Sequence, residues 1–144
     1  MDLNHGKYLG VDYGDKRTGF AECDVSGLLA SGIGTISEGG MKKTAERVAR
    51  EANERGCKKI IVGLPKNMDG TEGFRAETVR AFVDILSSLT DIPVELYDER
   101  MSTMQAYRFL DDSGTFGKKR REVIDTLSAE IILQNYIDRD RAEK

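Results

Sequence analysis

The chain has 144 residues, 39% hydrophobic and 33% charged, which suits one folded domain over 1–144 and excludes a disordered or fibrous polymer. No stretch nears the roughly 18 consecutive apolar residues of a membrane span, and the opening Met-Asp-Leu-Asn-His-Gly lacks a targeting pattern, so a cytoplasmic protein without a membrane partner is expected. With His5 its one histidine and Cys23 and Cys57 far apart, a zinc centre and a histidine-based triad are excluded, and the net charge of −3 is no nucleic-acid footprint by itself.

Tyr8 to Val11 reads as a strand that ends on Asp12, and Gly14 allows the sharp turn after it. Thr18 to Val25 and Leu28 to Ile36 read as two more strands joined at Ser26-Gly27. Three strands in quick succession imply an antiparallel meander, because parallel neighbours need a long crossover. After Gly39-Gly40 the period changes: Ala45, Val48, Ala49 and Ala52 recur at helical spacing, and Gly56 closes that helix. Lys59 to Gly63 is a β-branched run suited to a strand buried on both faces. Beyond a loop with Pro65 and Asp69-Gly70, the residues Val79, Phe82, Val83, Leu86 and Leu89 mark a second helix, and Val94 to Tyr97 a fifth strand. Ser102 or Thr103 would cap a helix through Leu110. A loop over 111–118 follows, then a long helix from about Lys119 to Arg139. This order predicts an α/β fold with a five-stranded mixed sheet, three antiparallel strands and then two more, with helices on its faces. Cys23 and Cys57, in or beside apolar segments, read as reduced core thiols.

Three acidic positions fall where an element meets a loop: Asp12, the pair Asp98-Glu99, and Asp125. Asp125 shares a helical stripe with Ala129, Ile132 and Tyr136, which should face the sheet. A carboxylate turned toward a core is costly unless it meets a cation, and a metal ion shared among carboxylates would supply one. Plainer readings compete. Asp12 could be a turn residue, Asp125 could serve the positive end of its helix from the first turns, and Glu99 could pair with Arg100. Successive strand residues face opposite sides, so only one of Asp98 and Glu99 joins such a site while the strand lasts, and spacing does not say which. The basic runs Lys16-Arg17 and Lys118-Lys119-Arg120-Arg121 read equally as solvated surface or as phosphate contacts.

The segments GVDYGDKRTGFA, IIVGLPKNMDG, DERMST and IDTLSAEIILQNYI, in that order between residues 10 and 137, resemble the signatures of the YqgF/RuvX family. Its members have an RNase H-like fold and are described as candidate pre-16S rRNA nucleases, or in an older description as Holliday junction resolvases. The resemblance implies two strands parallel to the first after the antiparallel three. It also implies a nuclease acting in 5′-end processing of pre-16S rRNA during ribosome biogenesis. Catalytic and metal-binding roles carry over to Asp12, Glu99 and Asp125, with Glu99 chosen over Asp98 by the family's DER motif alone. The implied cofactor is Mg²⁺ or Mn²⁺, as one or two ions. Lys16, Arg17 and Arg100 would hold backbone phosphates, and Lys118, Lys119, Arg120 and Arg121 would track a second stretch of nucleic acid. Two alternatives stay open, a resolvase of branched DNA and a non-catalytic ribosome-assembly factor. An actin-like kinase also begins with a strand ending in Asp-x-Gly, but 144 residues leave no room for its second lobe. The chain departs from the family at Ser128, where Ala is commoner, and at Met101-Ser102, where Leu-Thr is commoner.

Overall fold

In β1 (Lys7–Asp12) Leu9 and Val11 are fully buried on one side while Tyr8 packs on the other, the two-residue alternation of a strand covered on both faces. The structure is a computed structural model and describes residues 6–14, 16–24, 29–37, 39–66, 69–98 and 117–142, with side chains in the last segment described from 124 to 140. The other strands are β2 (Thr18–Cys23), β3 (Ala30–Ile36), β4 (Cys57–Leu64) and β5 (Val94–Asp98), and the five form one sheet in the order β3-β2-β1-β4-β5. The pairs β1–β2 and β2–β3 are antiparallel, whereas β4 runs parallel to β1 and β5 parallel to β4. This is the mixed sheet expected from the sequence. Asp12 is a ladder residue paired with Gly19, so the strand holds it before the turn begins.

One face carries α1 (Met41–Glu54) and α2 (Phe74–Leu89). Val48, Ala52, Phe82 and Leu86 from these helices close on Leu9, Val11, Ile60 and Val62, and all eight are fully buried. Removing a side chain of this size from water contributes about 1.5–3 kcal/mol, which makes this layer the main store of stability. Tyr13, just past β1, stacks on Phe82 with ring centroids 4.3 Å apart, tying the turn after Asp12 to α2. Gly56 ends α1 in the left-handed conformation, at φ +70°.

The opposite face carries α3 (Gly117–Ala142), whose Ala129, Ile132, Leu133 and Ile137 pack on Ala21, Cys23 and Ile61. The second half of this helix is also tied by polar groups. Lys59 Nζ donates to the Tyr136 hydroxyl at 2.8 Å, and that hydroxyl donates to Glu95 Oε2 at 2.8 Å. Burial alone would lower the Lys59 pKa, but the Tyr136 oxygen and the Glu95 carboxylate outweigh it and hold the ammonium protonated. Tyr8 and Tyr97 meet the Tyr136 ring edge-on.

Both cysteines are buried and unpaired, as expected, and burial pushes the Cys57 thiol up to about 11. The expected helix from Ser102 or Thr103 to Leu110 lies outside the described residues, as does the turn over 25–28. Ser128 faces the sheet and is 1% exposed, yet its hydroxyl has no hydrogen-bond partner among the described residues. A buried polar atom left unmatched costs about 1–3 kcal/mol. Ser128→Ala is therefore expected to raise the melting temperature by roughly 2–5 °C at this chain length. A melting temperature that falls would mean that the hydroxyl has a partner.

Candidate carboxylate site at the end of β1

The residues beneath α3 are small. Along the strands Gly10, Asp12, Gly19, Ala21 and Gly32 all belong to the face that α3 covers, because Leu9, Val11 and Phe20 belong to the other. Gly10 and Gly32 flank Ala21 across the three strands, each paired with it. A methyl group on Gly10 would stand 2.7 Å from Leu133 Cβ, and one on Gly32 would stand 2.5 Å from Thr126 Cγ2. At Gly19 it would overlap the main-chain carbonyl of Asp125. The helix backbone thus touches the strand backbone, a distance of approach that only glycine permits.

This contact brings the backbone of Asp125 close to that of Asp12. Gly19 is the ladder partner of Asp12, and paired residues of an antiparallel ladder have Cα atoms about 5 Å apart. The main chain of Asp125 lies directly on that partner, which sets this turn of α3 over the end of β1. The helix starts at Gly117, earlier than the periodicity suggested, and Asp125 lies about two turns inside it. A helix-dipole role fades within the first turn and does not account for this placement.

Arg17, in the turn before β2, donates from Nε to Asp125 Oδ2 at 2.6 Å. Both side chains are about a quarter exposed, at 27% and 23%, so the pair is shielded but reachable. The turn is held by Thr18, 1% exposed, whose hydroxyl accepts from Gly14 N at 3.4 Å. Lys16 in the same turn is exposed. The sequence suggests a phosphate contact for Arg17, whereas in the structure it pairs with an acid. The pairing spans 108 residues and leaves no trace in local spacing.

Asp98 ends β5 opposite Leu64, at the same end of the parallel strands as Asp12. Leu96 packs with the α1–α2 layer and Tyr97 with α3. Asp98 also lines a cleft of about 240 Å³ with Glu95, Tyr97, Tyr136, Arg139 and Asp140. Glu99 and Arg100 lie outside the described residues. Lys118 to Arg121 fall in the first turns of α3, and their side chains are likewise outside. Among the described residues no three His, Cys, Asp or Glu side chains form a metal cluster. Asp12 and Asp125 are two hard oxygen donors, so a divalent ion would need a further ligand from elsewhere. No helix among the described residues is long and apolar enough to cross a membrane.

Residues 6–139 match the family model RuvX, described as Holliday junction resolvase. A protein of Thermoanaerobacter pseudethanolicus, named as a candidate pre-16S rRNA nuclease, is 45% identical over 92% of this chain and 96% of its own. A protein of Clostridioides difficile with the same name is 44% identical over 92% of this chain and 94% of its own. Among solved structures, the RuvC protein of Thermus thermophilus in complex with a Holliday junction substrate superposes with a TM-score of 0.60 at 15% identity, covering 96% of this chain and 97% of that one. The fowlpox virus resolvase in its Holliday junction complex gives 0.57 at 14% identity, covering 92% and 97%. At these identities the likeness is one of fold.

Proposed function

The chain belongs to the RuvX family, and from that premise we propose that it is a divalent-metal-dependent nuclease that cleaves precursor 16S rRNA, with Asp12, Asp125 and Glu99 as its acidic site. The observation that carries this reading is the glycine seam, which seats Asp125 on the ladder partner of Asp12. Acidic side chains from these two positions would repel each other on converging and raise the demand for a cation. Arg17 against Asp125 is a sign that a positive charge is accommodated there.

The donor set fits Mg²⁺ or Mn²⁺, which take carboxylate oxygens, and offers neither thiolate nor imidazole. Asp12, held rigidly by the ladder, and Asp125, held by the seam, would be two of its protein ligands. Glu99 is favoured as the third by the family's DER motif alone. The bound ion would activate water and stabilise the leaving oxygen. Lys16 and Arg100 would neutralise phosphates beside the cut, and Lys118 to Arg121 would hold a further stretch of strand.

The preference for ribosomal precursor RNA rests on the names of relatives that match this chain almost end to end. Incubating the protein with precursor 16S rRNA and, separately, with a four-way DNA junction, each with Mg²⁺ or Mn²⁺ and with chelator, tests it. Metal-dependent cutting of the RNA is expected. Cutting of the junction alone would move the substrate to branched DNA, and cutting of neither would leave a binding protein. A second measurement concerns Lys118 to Arg121. The double variant Lys119→Gln/Arg120→Gln is expected to lower RNA affinity across unrelated sequences. It should also flatten the slope of log K against log salt by roughly one unit per lost contact. An unchanged slope would return the run to solvated surface.

A further inference from the structure

Arg17 occupies a carboxylate oxygen of Asp125, one of the metal ligands proposed above. Its Nε donates to Asp125 Oδ2 at 2.6 Å, and the main-chain carbonyl of Asp125 lies on Gly19, the ladder partner of Asp12. A guanidinium and a divalent ion on one carboxylate oxygen repel each other, so the two compete for it. We propose that Arg17 is a placeholder cation: it holds Asp125 until a divalent ion binds, and is then displaced toward the phosphates of the substrate. This rests on the reading of Asp125 as a metal ligand.

The geometry suits exchange. Arg17 lies in the short turn between β1 and β2, anchored on either side by Asp12 in the ladder and by Thr18 with Gly14. Its long side chain, 27% exposed, reaches Asp125 and remains open to solvent. Exposed Lys16 beside it marks the direction of solvent and of an approaching polyanion. With the arginine in place, the charge of Asp125 is matched. A phosphate that attracts Arg17 frees Asp125 for the ion, and an ion that takes Asp125 frees Arg17 for the phosphate. By linkage each event favours the other, so metal and nucleic acid bind cooperatively. A purely structural ion pair would stay closed in both states.

The test follows the arginine and the ion separately. In the wild-type protein, the Arg17 Nε–H resonance, identified by its absence from Arg17→Gln, is followed by NMR during titration with Mg²⁺ alone. It is expected to shift and to exchange faster with water, at the same midpoint as the backbone amides around Asp12. Binding of Mn²⁺ alone, counted from the free-ion EPR signal, is expected to be roughly tenfold tighter in Arg17→Gln, the scale of one released charge-assisted hydrogen bond. If the Asp12 amides respond while the Arg17 Nε–H does not move, the proposal is overturned, and Arg17 is a fixed strut. Equal or weaker Mn²⁺ binding by Arg17→Gln overturns it too. Undiminished Mn²⁺ binding by Asp125→Asn is a different failure: it removes Asp125 from the metal site and with it the reading beneath this proposal. The wild-type titration stands even if a variant folds poorly.

Discussion

Replacing Asp12 by asparagine is expected to slow metal-dependent cleavage by about a thousandfold, the rate equivalent of roughly 4 kcal/mol of transition-state charge stabilisation. The change keeps size and shape, and Asp12 lies at the half-exposed end of β1, so the fold should survive it. The loss should appear in the single-turnover rate at saturating Mg²⁺, and the melting temperature without metal should move by only a few degrees. Retention of activity within tenfold of wild type would take Asp12 out of the chemistry. A large loss of stability with the residual rate per folded molecule unchanged would make it a structural residue.

The largest stability effect is expected at Gly19, a residue without a functional group. In Gly19→Ala the new methyl group would occupy the position of the Asp125 carbonyl, and neither backbone can yield locally. The helix must move off the sheet, at a cost of about 3 kcal/mol, near the upper end of overpacking, or roughly 10 °C in melting temperature. Activity should fall further than stability, because an ångström of displacement at a catalytic group costs on the order of a hundredfold in rate. Gly39→Ala is the control. Nothing lies within 4 Å of its added methyl, and its melting temperature should stay within about 2 °C of wild type. If the two variants behave alike, the helix has slack over the seam and the close approach does not set the site.

Much of the fold was legible because its signals are local. Ala45, Val48, Ala49 and Ala52 are buried at the spacing that predicted α1, and the run around Ile60 to Val62 is buried on both faces. The crossover rule was enough to identify the antiparallel three, and the family resemblance supplied the parallel direction of the last two. What escaped was what depends on two distant segments at once. Nothing local singles out Gly10, Gly19 or Gly32 by itself, and only the docked helix reveals the three as a bearing surface. Their signal was present: Gly10 with Asp12 and Gly19 with Ala21 keep a two-residue period of small or acidic side chains on one face. The acids were visible for a chemical reason, since Asp125 interrupts an apolar stripe. Its arginine partner was not, because charge pairing across the fold has no period.

The seam also sets an order of events in folding. Its three glycines come from three strands, so α3 has no surface to dock on until β1, β2 and β3 are aligned. The hairpins join residues close in the chain, whereas the helix must close a loop of more than ninety residues to reach β1, the slower kind of contact. A chain still being synthesised therefore carries Asp12 in a formed sheet well before Asp125 can join it. Pulsed hydrogen exchange during refolding should show the amides of β1 and β2 protected before those of α3; simultaneous protection would mean that sheet and helix assemble as one.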